Sequence, residues 1–207
     1  GRVLASLADV EGVGDRLITT APDVSISTNL GGFINKRGVY SHAERDDHGG
    51  ADRLLKWAPG PTGQHIELGI SEMNLFMLLG QLGLSHDHHG QHLLPVGTVY
   101  DPFVLRGLDA LIYGIYNDAK FVVAGTPAGV TLAPEGAQHS WKSDIQIPNL
   151  ITWEPAFAIE MEWILCDAIK RHFTGDNKGR TGVLVRAVTR GLVQKSLMTW
   201  LKKQLTF

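Results

Sequence analysis

Short apolar segments rich in β-branched residues alternate along this chain with longer stretches of helical periodicity, and that alternation leaves few folds open. The candidate strands are Leu17 to Thr20, His65 to Leu68, Leu93 to Val96, Phe121 to Ala124, Leu150 to Trp153 and Val183 to Ala187. The candidate helices are Met73 to Leu84, Phe103 to Asn117, Ala156 to Phe173 and Leu192 to Gln204. Parallel strands need long crossovers, and helices serve as crossovers that cover both faces of a sheet. The Val-Val and Leu-Val strand cores show little polar alternation, as expected of strands buried on both sides. The pattern therefore predicts an α/β fold: a three-layer α/β/α arrangement with a mostly parallel sheet of about six strands, residues 1–207 forming one domain. Residues 38–62, with Ser41-His-Ala-Glu-Arg-Asp-Asp-His-Gly-Gly50 and Trp57-Ala-Pro-Gly-Pro61, interrupt the alternation. They read as a long loop between the first and second strands.

Composition narrows the function classes. Hydrophobic residues make up 43% of the 207 and charged residues 19%, a globular balance. The net charge of -2 gives no electrostatic case for nucleic acid or an anionic membrane as partner. The single cysteine, Cys166, excludes an internal disulfide and fits a reducing compartment. Set among Met161, Ile164, Leu165 and Ile169, it reads as a buried helix residue rather than a nucleophile. No apolar run reaches the ~18 residues that span a bilayer, and Gly1-Arg-Val-Leu-Ala-Ser-Leu-Ala-Asp9 lacks the pattern of a signal peptide. A soluble cytoplasmic protein is the expectation.

The segment Gly63-Gln-His-Ile-Glu-Leu-Gly-Ile-Ser-Glu-Met-Asn-Leu-Phe76 runs from a strand through Gly69 into a helix. It sets Glu72 at the positive end of that helix, where a carboxylate gains up to ~1 kcal/mol. A helix-start acid supporting its own first turn is the plain reading of Glu72. Two later segments point further: Leu93-Leu-Pro-Val-Gly-Thr-Val-Tyr-Asp-Pro-Phe103 and Ala124-Gly-Thr-Pro-Ala-Gly-Val-Thr-Leu-Ala-Pro-Glu-Gly-Ala-Gln-His139. Taken in order and spacing, the three resemble the pyrimidine-binding domain of the transketolase-like thiamine diphosphate enzymes. The match is nearest to the decarboxylating component of bacterial homodimeric pyruvate dehydrogenases and runs from about Leu17 to Arg190.

That resemblance implies roles. Glu72, through the Gly-Ile-x-Glu element of Gly69, Ile70 and Glu72, matches the carboxylate that bonds the cofactor's pyrimidine nitrogen, in an apolar site. That contact favours the imino tautomer, which takes up the thiazolium proton. Tyr100 and Phe103 match aromatics that wall the pyrimidine ring, and Asp101-Pro102 between them is suited to start the next helix. His139 matches an active-site histidine that moves protons at the 2-oxo acid, with Glu135 its acidic companion. Asp23 is either a turn residue after Pro22 or an acid beside the cofactor and the dimer interface.

The spacing from Glu135 to His139 distinguishes branches of the family. Sugar-transferring transketolases hold their acid one residue further from the histidine and add an aspartate absent here. The expected parent activity is thiamine diphosphate-dependent decarboxylation of pyruvate with acetyl transfer to a lipoyl-bearing acyltransferase. A ketol-transferring transketolase and a non-catalytic dimerisation domain are the alternatives. The Gly-Asp-Gly…Asn element that holds diphosphate and magnesium in this family does not occur here. The resemblance therefore implies half a site, completed by the diphosphate-binding domain of a partner subunit in a homodimer. The cluster His86-Asp-His-His-Gly-Gln-His92 offers imidazole and carboxylate groups but reads as a solvated loop, and no metal is assigned to this chain.

Overall fold

The computed structural model describes residues 1–43, 59–132, 147–174, 181–189, 191 and 194–205. They include one eight-stranded sheet: β1 (Leu17–Ala21), β2 (Val39–Tyr40), β3 (Pro59–Gly60), β4 (His65–Glu67), β5 (Leu94–Val99), β6 (Phe121–Gly125), β7 (Leu150–Trp153) and β8 (Gly182–Arg186). The order is β3-β2-β4-β1-β5-β6-β8-β7, and every pairing is parallel. The helices are α1 (Arg2–Leu7), α2 (Gly31–Arg37), α3 (Glu72–Gly83), α4 (Ser85–His89), α5 (Leu108–Tyr116), α6 (Ala158–Thr174) and α7 (Gln194–Leu205). No described helix is long and apolar enough to cross a membrane.

All six expected strands are present. The sheet gains two more because both ends of the expected loop, β2 and β3, pair with each other, and β2 pairs with β4. Residues 44–58 of that loop lie outside the described residues.

Alternating side chains on the central strands explain the layers. On β6, Val122 faces a cluster with Leu4 of α1, Phe33 and Ile34 of α2, and Ile164, Leu165 and Ala168 of α6. Its neighbours Phe121 and Val123 face the opposite cluster, with Leu75, Phe76 and Leu79 of α3 and Leu111 and Ile115 of α5. On β8, Val183 and Val185 join the first cluster and Leu184 the second. Period-two alternation with apolar residues on both faces makes a sheet that only two helical layers can cover.

Two glycines set the depth of the α3 layer. A Cβ on Gly97 would come within 2.6 Å of Leu79 Cδ1, so glycine lets α3 settle onto β5. A Cβ on Gly80 would touch Gly114 Cα at 3.5 Å, where α3 meets α5.

The structure corrects two further expectations. Cys166 lies on α6 but is exposed. The buried arc of that helix is Ile164, Leu165, Ala168 and His172, and at about 100° per residue Cys166 falls on the far side. The histidine segment is not all loop, because Ser85–His89 form α4, ended by Gly90 in the left-handed conformation with φ 68°. His86 and His92 stack with ring centroids 3.8 Å apart. Partial burial and the charge of His86 push His92 below the usual histidine range.

His172 carries a pH dependence into the fold. Its ring is buried, and Nε2 meets the Thr181 carbonyl at 2.9 Å. A carbonyl only accepts, so Nε2 holds the proton. Burial lowers the His172 pKa from 6.5 to about 4. The unfolded chain therefore binds a proton between those values that the folded chain refuses. The contribution, roughly 3 kcal/mol, is present above pH 6.5 and is lost as pH falls toward 4. Urea unfolding at pH 7 and pH 5 should show about 2 kcal/mol of this loss, and His172→Gln should flatten the difference between the two.

Candidate functional site

The strand order reverses between β1 and β5. From β1 the chain moves outward to β2 and β3 on one side and comes back to β4 beside β1, then crosses β1 to β5 and runs through β6 to the edge strand β7 and back to β8 on the other. The carboxyl ends of β1 and β5 thus diverge into loops that leave in opposite directions, and this is where open α/β sheets bind ligands. Thr28 Oγ1 and Thr98 Oγ1 are hydrogen-bonded at 2.8 Å near the end of β5.

Glu72 is the first residue of α3, behind Ser71, whose hydroxyl caps the helix by accepting from the Asn74 N–H at 3.4 Å. The helix start favours the carboxylate electrostatically, and the residue is only 7% exposed. Among the described residues its carboxylate accepts no hydrogen bond. Its ion-pair partner is Arg106, with Nη1 3.8 Å from Oε1. The Arg106 guanidinium carbon lies 3.5 Å from the centroid of the Phe103 ring, a cation–π contact. Phe103 in turn meets Tyr100 edge to face, centroids 5.0 Å apart. The surroundings expected to be purely apolar therefore include a guanidinium. Glu72, Phe103 and Tyr100, chosen from sequence, stand in one connected row with Arg106 as the link.

The loop that carries both aromatics is a 3-10 helix, Asp101–Gly107, with Pro102 near its start and Phe103 N–H donating to the Tyr100 carbonyl at 2.8 Å. Asp101 begins this helix as expected, but its side chain turns inward and is fully buried. Arg186, at the end of β8, donates to it twice: Nε to Oδ1 at 3.0 Å and Nη2 to Oδ2 at 2.9 Å. The remaining terminal nitrogen, Nη1, donates to Glu154 Oε1 at 2.8 Å, just past β7. A buried pair of this kind costs about 3–5 kcal/mol to break from one side, since the other charge is left unpaired.

The other expected site residues are less closely joined. Asp23 is exposed, with φ 61°, in the turn after β1. Its N–H donates to Glu67 Oε1 at 2.7 Å. His65 Nε2 lies 3.4 Å from Glu67 Oε2, and its Nδ1 lies 2.9 Å from the Thr19 hydroxyl. Burial raises the Glu67 pKa, but the bonds from His65 and the Asp23 N–H outweigh it and hold the carboxyl below its usual range. Ile70 precedes Glu72 and is 78% exposed. Glu135 and His139 lie outside the described residues.

The family model of the pyruvate dehydrogenase E1 component middle domain matches residues 1–185. The chain belongs to this family. It is similar to the pyruvate dehydrogenase E1 component of Cupriavidus necator, 25% identical over 182 residues, which covers 83% of this chain and 20% of that protein. The corresponding protein of Pseudomonas aeruginosa is 26% identical over 79% of this chain and 19% of its own length. That of Escherichia coli K12 is 24% identical over 83% and 20%. The chain spans about a fifth of the length of the curated relatives it matches.

Within this middle domain, sequence reasoning missed Arg106, Arg186 and Glu154. Arg186 did leave a signal: it ends Gly-Val-Leu-Val-Arg, and a charge at the end of a buried apolar strand requires a partner. Its partner's identity had no signal, being 85 residues away. Arg106 sits three residues after Phe103, a spacing that brings side chains together on a helix.

Gly107 holds the 3-10 helix against α3. A Cβ there would lie 2.3 Å from Phe76 Cδ2 and 2.7 Å from the Glu72 carbonyl oxygen. Its φ of -119° suits any residue, so the constraint is space alone. Gly107→Ala should destabilise the protein by about 1–3 kcal/mol in denaturant unfolding. Gly60→Ala, with nothing within 4 Å of the new Cβ, should stay within about 0.5 kcal/mol.

Proposed function

We propose that this chain supplies the pyrimidine-binding half of a thiamine diphosphate site in a pyruvate dehydrogenase E1 component. The observation that carries the reading is Glu72: a buried carboxylate at a helix start, with open hydrogen-bonding capacity, in one row with Arg106, Phe103 and Tyr100. Those residues suit an aminopyrimidine, which needs one fixed carboxylate and flat apolar walls. When bound, thiamine diphosphate would supply a carbon nucleophile and a sink for the electrons of decarboxylation of a 2-oxo acid such as pyruvate.

The chain's own residues bind, orient and hold a proton. Glu72 holds the pyrimidine nitrogen opposite the exocyclic amino group and shares its proton. Tyr100 and Phe103 wall the ring and exclude water. Arg106 holds Phe103 from its open face and keeps the Glu72 carboxylate oriented. Ile70 presents its exposed side chain toward the cofactor, and Asp23 borders the site at the end of β1. On the sequence motif alone, His139 is assigned hydrogen bonding and proton transfer at the substrate, with Glu135 its acidic companion.

The diphosphate and its magnesium are assigned to a domain of the partner subunit in a homodimer. The outer faces of α3 and α5 support the assembly: Met73, Met77, Ile112, Tyr113 and Tyr116 are exposed there, and apolar exposure on this scale marks a protein contact. Family membership supports acetyl transfer to a lipoyl-bearing acyltransferase as the next step and residues 1–207 acting as one domain. A cytoplasmic location accords with the single cysteine.

Titration calorimetry with thiamine diphosphate and magnesium tests the reading, on this chain alone and on its mixture with a diphosphate-binding domain of the same family. Binding is expected only in the mixture, and Glu72→Ala should weaken it about a hundredfold or more, the scale of a lost buried charge-assisted hydrogen bond. If the two proteins associate and no heat of cofactor binding appears, the thiamine assignment fails and an interaction domain stands in its place.

A further inference from the structure

We propose that Arg186 is a positioning residue for the two aromatics of the pyrimidine site, acting through Asp101. The inference rests on the thiamine reading above for what the aromatics bind, but its geometry stands independently. Asp101 is the residue between Tyr100 and the Pro102-Phe103 turn, and it is fully buried. Arg186 grips both of its carboxylate oxygens at 3.0 and 2.9 Å, a two-point contact that fixes direction as well as distance.

The contact also crosses a strand. In the sheet order β5-β6-β8-β7, Asp101 follows β5 and Arg186 ends β8, so the pair reaches over the end of β6. Gly125 leaves the space: a Cβ there would come 2.5 Å from Asp101 Oδ1. Backbone bonds from Thr126 to Val99 and from Ala187 to Gly125 bind the same three strand ends together. Glu154 holds the third arm of the guanidinium from β7 and, with a side chain 53% exposed, is the outer support. Pulling Asp101 inward turns its neighbours Tyr100 and Phe103 to one side, where Phe103 meets Arg106 and, through it, Glu72. Arg186 thus sets the orientation of a wall it does not touch.

Hydrogen exchange on the chain alone reads the turn directly. Arg186→Met is expected to speed exchange of the amides within 101–107 by about tenfold or more, while those of β1 and β4 keep their rates. Arg186→Lys, which keeps the charge and loses the planar fork, should act in the same direction. Glu154→Gln should have a smaller effect.

In the mixture with a diphosphate-binding domain, both Arg186 variants should bind thiamine diphosphate with magnesium about tenfold more weakly, the scale of supporting contacts around a bound group. Inorganic pyrophosphate with magnesium, which has no ring to wall, should bind as it does to the unmodified protein. Unchanged exchange at 101–107, or a rise spread evenly over the sheet, would overturn the positioning role, as would equal weakening of pyrophosphate. An unmodified mixture that binds pyrophosphate but not thiamine diphosphate sinks the thiamine reading instead, and the exchange result then decides Arg186 by itself.

Discussion

Burial of β5, β6 and β8 on both faces is the constraint from which the rest of the structure follows. Every residue of β5 and β8 is buried, and all but one of β6. A strand in that position has no face for polar side chains unless each finds a partner. Polar chemistry is therefore displaced to the strand ends. At the carboxyl edge stand Glu67, Thr98, Asp101 and Arg186, and at the opposite edge His172 bonds the residue before β8. The proposed site lies along the first of these edges, where Glu72, Tyr100 and Phe103 follow the carboxyl ends of β4 and β5.

Arg186 is where that constraint is met most directly. Its strand is apolar up to the last position, and the guanidinium arrives at the sheet edge with five donors and little water. Asp101 and Glu154 come from loops after two other strands, so satisfying one charge ties three strand ends into a single unit. Apolar pairs of similar volume are often at least as stable as buried ion pairs. Stability alone therefore does not account for the choice, whereas direction does: a planar fork on a carboxylate fixes the turn between Tyr100 and Phe103 in a way that apolar packing cannot.

Much of this was legible in the sequence. Strand–helix alternation gave the parallel sheet and both helical layers, since periodicity reports which faces are buried. Glu72, Tyr100 and Phe103 were chosen from ordered motifs, and the fold brings them into one row. Several of the misses come from tertiary contact between distant residues. β5 was expected to end at Val96 but runs on to Val99, and Gly97 within it admits Leu79 of α3. The helix α2 begins Gly-Gly and spans only seven residues, too short and too glycine-rich to declare itself. Phe33 and Ile34, both in the core, hold it in place. Lys36 and Arg37 in its last turn also donate to the Ala5 and Ala8 carbonyls around α1. Cys166 was misplaced because apolar neighbours in sequence are not neighbours on a helix.

The electrostatics of the proposed site argue for a second protein surface. A thiamine diphosphate brings a ring that suits Glu72 and its aromatic row, and a diphosphate that needs concentrated positive charge. Two arginines among the described residues of this region are already engaged: Arg186 with Asp101 and Glu154, Arg106 with Phe103 and Glu72. Drawing either toward a phosphate would expose a carboxylate to it and loosen the wall that holds the ring. The whole chain carries a net charge of -2, so the long-range field offers no compensation. On the proposed reading, the half of the cofactor that this chain would take is the half whose recognition depends on shape and one proton. On the same reading, the charged half would be held by a surface built separately and brought to the same edge by assembly.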